Sequence, residues 1–168
     1  MGHWRWYDVR LMAYAKRLQC SRWTRRGGPE LTQASDFTGE DVETKLTELG
    51  SYEGGMVLLV PESFPAGDHL VVLWEEGKYA CQPHGSKGGA ILIDPDVPRT
   101  FSAEDDWHHR AVPLPAVLQA AKTYYVSGQL DHSLHWEESV AENGDQTREP
   151  KVLRGRALQA ALHGRKRR

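Results

Sequence analysis

The sequence predicts an α+β fold: a mostly antiparallel sheet of about five strands with two main helices, carried between basic, flexible extensions. Three observations predict it. Residues 38–49 and 113–126 repeat apolar side chains at three- and four-residue steps, the period of a helix with one buried face. Between and after them lie short apolar or alternating runs bounded by Gly, Pro and Asp. The resulting order of helix, strands, helix and strand belongs to α+β folds rather than to an alternating parallel sheet.

Residues 1–30 read as a basic N-terminal extension. Trp4, Trp6, Tyr7 and Trp23 are mixed with arginine without a clean period, and a helix from Asp8 to about Leu18 would be broken by Arg22 to Gly28. The expectation is a poorly ordered terminus, with Met12 as an alternative start. The organised domain is expected over 38–140. Thr38 can cap a helix whose first turn carries Glu40 and Asp41, charges that suit its positive end, and Val42, Lys45, Leu46 and Leu49 form the inner stripe up to Gly50. Met56 to Val60 is wholly apolar, which predicts a central strand buried on both faces and closed by Pro61. His69 to Glu75 and Lys78 to Gln82 flank Glu76-Gly77 and read as a hairpin. Gly88 to Ile93 gives another strand, stopped by Asp94-Pro95-Asp96 and Pro98.

The second helix is the clearest element of the chain. Pro113 and Pro115 suit a first turn, Val117, Ala121, Tyr124 and Tyr125 make the apolar stripe, and Gly128 is the natural stop. From Leu130 to Glu137 apolar and polar residues alternate, so a strand is expected with Leu130, His132, Leu134 and Trp136 on one face. Residues 144–168 form a basic C-terminal tail with a weak helical face of Leu153, Ala157, Ala160 and Ala161.

Charge is divided sharply along the chain. The formal net charge is -2, from 21 Lys and Arg against 23 Asp and Glu. Residues 1–28 hold seven bases and one acid, and residues 144–168 hold eight bases and two acids. The remaining six bases and 20 acids leave the middle near -14. Such a middle repels nucleic acid and attracts a basic protein surface.

No chemistry-bearing constellation is present in the sequence. His108 and His109 are adjacent and diverge, and His132 and His135 fall on opposite faces of the expected strand, so neither pair makes a good chelate. The His-x-Glu and Pro-Cys-x-x-Cys pattern of zinc deaminases is absent, as is any Gly-x-Ser-x-Gly turn. Lys87 with Gly85, Gly88 and Gly89 lacks the order of a phosphate loop. Cys20 and Cys81 have no paired spacing. The apolar runs are too short to cross a bilayer and charges interrupt every candidate secretion signal, so a cytoplasmic, non-enzymatic protein without cofactor or metal is expected.

Two regions combine acid with large aromatics, the composition of a protein interface with a steering rim. One is Trp74, Glu75 and Glu76 at the hairpin tip; the other is the loop system with Asp94, Asp96, Glu104, Asp105, Asp106 and Trp107. These nine residues are the expected partner contacts.

Ala120, Ala121, Tyr124 and Tyr125 on the second helix, a short polar link, and then Leu134, His135, Trp136 and Glu137 carry a resemblance. The stretch from about Ala116 to Glu138 resembles the C-terminal end of a family of immunity proteins from bacterial polymorphic toxin systems. That family includes the inhibitor of a double-stranded-DNA cytidine deaminase toxin, and the likeness is looser from Gly39 onward. It implies a protein that binds a toxin acting on nucleic acid, a deaminase or a nuclease, and occludes its active site. The alternative is a small nucleic-acid-binding protein that uses its basic termini.

Overall fold

The structure, a computed structural model, describes residues 13–24, 27–62, 68–75, 77–85, 90–97, 111–138 and 152–153. It is an α+β fold. Strands β1 (Ala15–Thr24), β2 (Gly27–Ala34), β3 (Gly54–Pro61), β4 (His69–Glu75) and β5 (Lys78–His84) make an antiparallel sheet in the order β2-β1-β3-β4-β5. Helices α1 (Gly39–Leu49) and α2 (Leu114–Ser127) pack beside each other on one of its faces. A second sheet joins β6 (Ala90–Leu92), β7 (Trp136–Glu138) and β8 (Val152–Leu153).

Burial follows the strand period. Leu18 and Cys20 of β1, Val57 and Leu59 of β3, Leu70 and Val72 of β4, and Tyr79 and Cys81 of β5 stand in adjoining rows of the register and are all buried. Val42, Leu46 and Leu49 of α1 and Val117, Ala120, Ala121, Tyr124 and Tyr125 of α2 close over that face. The pair Ala120-Ala121 lets the backbone of α2 approach the layer closely. Strand β3 is central, as its apolar run requires. Its two faces differ, however: Val57 and Leu59 are buried on the helix side, whereas on the side away from the helices Met56 and Leu58 are half-buried and Val60 is buried.

Both helices start as the sequence dictates. The Thr38 hydroxyl accepts from the Asp41 amide at 3.2 Å while the Thr38 amide donates to the Asp41 carboxylate at 2.6 Å, a reciprocal cap. Pro113 precedes α2 in extended geometry, and Gly128 ends it at φ 65° with its N–H on the Tyr124 carbonyl at 2.8 Å. Gly50 ends α1 differently. It keeps right-handed geometry at φ -59°, and the buried Tyr79 hydroxyl reaches across the sheet to donate to the Leu46 carbonyl at 2.8 Å. The hairpin turns at Gly77, φ 81°, with Glu75 paired to Lys78.

Three expectations need correction. Residues 1–30 are not an extension throughout: Ala15–Thr24 is the strand next to β3, and Gly27–Ala34 continues the sheet. The alternation of Leu18, Cys20 and Arg22 with Arg17, Gln19 and Ser21 fits a strand, but the frequent arginines obscured it. The helix from Asp8 to Leu18 fails for the same reason, since Ala15 to Leu18 is extended. Finally, Leu130 to Glu137 is not one strand. Residues 131–134 turn, and only Trp136–Glu138 pairs, with β6 and β8. The cause is Asp131, whose carboxylate accepts from the Ser133 amide at 2.9 Å and the Ser133 hydroxyl at 2.6 Å and so folds the chain back on itself. Residues 1–12 and 154–168 lie outside the described residues.

Candidate partner-binding surface

One end of the main sheet gathers aromatic and charged side chains. The register puts Glu30, Arg22, Gly55, Trp74 and Tyr79 in one row across all five strands on the helix side. The C-terminus of α1 and the connection Gly50–Glu53 run into the same end, because Glu53 leads directly into β3.

Arg22 anchors the row. Its side chain is 14% exposed, and its guanidinium meets Glu30 at 3.0 Å and Glu48 at 3.7 Å while lying 4.7 Å from the centre of the Tyr52 ring. Glu48 also takes Lys45 at 2.9 Å. Trp74 is half-buried, donates its indole N–H to the Tyr52 carbonyl at 2.8 Å, and packs on Tyr79 with ring centres 4.5 Å apart. Tyr52 and Trp74 are thus tied to each other and to the sheet. Each keeps part of its surface in solvent.

Glycine makes this corner compact. A methyl group on Gly55 would come within 2.5 Å of the Leu49 side chain and 2.9 Å of the Ser21 carbonyl, so α1 can sit this close to β3 only over a residue without Cβ. On the other face, a methyl on Gly54 would overlap the indole of Trp23.

Along α1, Glu40, Asp41, Glu43, Thr44 and Thr47 are exposed, while Val42, Leu46 and Leu49 face the sheet. The helix therefore presents an exposed side carrying Glu40, Asp41 and Glu43, and Glu53, beyond its end, is exposed as well. The sequence signal for this side is the spacing of Glu40, Glu43 and Thr47, which repeats on one helical face; Glu40 and Asp41 also suit the positive end of the helix.

Of the nine expected contacts, Trp74 lies in this corner on the helix side, while Glu75, its neighbour in the chain, belongs to the opposite face of the sheet, in the row of Gly54 and Lys78. Asp94 and Asp96 form a separate turn after β6, where the Asp94 carboxylate accepts from the Asp96 amide at 3.0 Å; Asp94 is half-buried and Asp96 exposed. Glu76, Glu104, Asp105, Asp106 and Trp107 lie outside the described residues, as do His108 and His109. His132 is exposed on the Asp131 turn and His135 is half-buried after it. Among the described residues, no group of three or more His, Cys, Asp or Glu is placed to hold a metal ion.

Neither buried thiol is activated. Burial pushes the Cys81 thiol well above its ordinary value, and burial raises Cys20 as well despite the nearby Arg22 and Lys45 charges. Among the described residues, no helix is long and apolar enough to cross a membrane.

Comparison with known proteins finds no matching family model, no matching curated protein and no matching solved structure.

Proposed function

We propose that this chain is an immunity protein: a cytoplasmic, non-enzymatic α+β domain that binds a cognate bacterial toxin and occludes its active site. The toxin class is a nucleic-acid deaminase or a nuclease. A toxin of that kind must offer a basic groove to the phosphate backbone, and a negatively charged protein that occupies the groove competes with nucleic acid for it. The observation that carries the reading is the charge division. Residues 29–143 are near -14, and adding residues 13–28, whose five bases include Lys16, Arg17 and Arg22 of β1, still leaves 13–143 near -9; the carboxylates of this region include the exposed Glu40, Asp41 and Glu43 of α1. The resemblance of residues 116–138 to immunity proteins adds support.

The test is protection. The product of the adjacent reading frame is expressed in cells with and without this chain, and growth is followed. Restored growth, together with co-purification of the two proteins, is expected. A toxin that kills equally in the presence of excess soluble chain overturns the proposal.

A further inference from the structure

We infer that the outer edge of β2 pairs with a second copy of this chain, the two β2 strands running antiparallel across a two-fold axis at Leu31. The inference stands on the edge itself and does not depend on the toxin reading.

The two edges of the main sheet differ. On the outer side of β5 the Val112 amide donates to the Tyr79 carbonyl at 2.9 Å, and β6 packs beside the same strand. β2 pairs with β1 alone, and among the described residues no strand pairs with its outer side. An open edge presents a row of unpaired N–H and C=O groups, a template that another strand fits. Folds ordinarily blunt such an edge with lysine, proline or a bulge. Here Pro29 and the break in register between Arg22 and Thr24 sit at the turn end, and residues 30–34 beyond them hold no lysine. Their one carboxylate, Glu30, is engaged by Arg22 at 3.0 Å.

The residues of β2 select its own copy. Leu31 is 71% exposed, against 39% for Val97 and Val126, the other large apolar side chains in solvent among the described residues. It stands on the face away from the helices, in one row with Ser21, Met56, Leu73 and Ala80. Facing residues of an antiparallel pair share a face, so β2 can meet itself only in registers centred on one residue. Centring on Glu30 sets two carboxylates against each other, which is destabilising. Centring on Leu31 brings the two exposed leucines together and puts Glu30 opposite Thr32 and Pro29 opposite Gln33. Residues 29–33 are all exposed, and half-buried Ala34 follows. That run is symmetric about Leu31, so this register covers all of it in both copies at once. Five facing residues span about 17 Å and bury less than the about 1,200 Å² of a lasting complex, so the dimer is reversible.

Sedimentation velocity of the full chain, from about 2 to about 400 μM, tests the pairing. The weight-average mass should climb from one chain toward two. Leu31→Lys sets two like charges against each other in this register and should weaken association by roughly tenfold or more. At low concentration its melting temperature should match that of the unaltered chain, because the side chain already stands in solvent. Leu31→Cys reports the register. Facing Cα atoms lie about 4.5–5.5 Å apart, within disulfide range, so two chains should link with oxidised glutathione accepting the two electrons. Thr32→Cys, set against Glu30 of the other copy, should link poorly. Cys20 and Cys81 are buried and should not compete. A mass that stays at one chain throughout overturns the dimer; if Leu31→Lys then weakens binding to the product of the adjacent reading frame, the edge takes a strand of that protein instead. A dimer indifferent to Leu31→Lys overturns the edge, and one linked as readily through Thr32→Cys overturns the register.

Discussion

The indole of Trp136, fully buried, donates its N–H to the main-chain carbonyl of Asp131 at 2.9 Å. The bond joins the start of the β7 strand to the turn that precedes it. Because the same Asp131 holds Ser133, Thr123 and Gln119 through its carboxylate, one residue fixes the turn to α2 and to the core tryptophan at once.

Removing the ring should show how much of the fold depends on it. Trp136→Ala is expected to cost about 3–5 kcal/mol, from lost burial and the cavity left behind. Trp136→Phe should cost less, since most of the packing remains and the loss includes one buried hydrogen bond. Urea denaturation of the two variants checks the order. An alanine variant within about 1 kcal/mol of the parent would contradict the core assignment.

Asp131 also sets a pH dependence. Burial pushes its carboxyl up, but the hydrogen bonds from Ser133, Thr123 and Gln119 outweigh that and hold it below the ordinary aspartate value. A carboxyl depressed in the folded state contributes stability that is complete above its unfolded value, near pH 4, and is lost as pH falls through the folded one. Stability measured from pH 6 downward should therefore decline in this range, and Asp131→Asn should flatten part of the decline. An unchanged acid limb in the variant would show that the network contributes nothing at Asp131.

Two glycines that end helices should respond oppositely to alanine. Gly128 has φ 65°, and a methyl there would come within 2.5 Å of the Tyr14 ring, whose amide donates to the Val126 carbonyl at 3.2 Å. Gly128→Ala should cost upward of about 2 kcal/mol, the left-handed penalty plus the overlap. Gly50 is right-handed, and a methyl there meets only ordinary contacts at 3.5 Å. Gly50→Ala should be neutral or stabilising by about 0.4–1 kcal/mol, because the substitution restricts the unfolded chain. Thermal unfolding separates the two; similar losses at both sites would mean the Tyr79 cap does not replace the usual glycine geometry.

The thiols give a probe of the sheet interior. Cys20 and Cys81 are buried with raised pKa values, so an aromatic disulfide reagent at neutral pH should label both slowly in the native protein and rapidly in denaturant. Fast labelling of Cys81 without denaturant would indicate that β5 opens locally.

Much of this architecture was legible in the chain. The cap at Thr38, the stripe of α2, the stop at Gly128 and the hairpin around Gly77 depend on neighbours within a few residues, and each stands where the sequence puts it. Val117, Ala121, Tyr124 and Tyr125 are all buried, as their periodicity requires, and Trp136 is buried at the start of β7 although the longer strand expected around it does not form. The strands β1 and β2 were hidden because arginine and glutamine fill positions that a short pattern expects to be apolar. Arg22 is acceptable inside only once Glu30, Glu48 and Tyr52, from three other segments, surround it.

Sequence by itself determined the class of fold, the helix limits, the identity of the core stripe and the separation of charge, since these follow from local propensity and period. The Asp131–Ser133 turn that breaks the expected last strand is local and was masked by the apolar alternation around it. Tertiary structure alone decided that Ala15–Thr24 and Gly27–Ala34 join the sheet and that Trp74 meets Tyr52 beside the exposed side of α1. Those outcomes depend on contacts between residues far apart in the chain, whose energies no window of neighbouring residues contains.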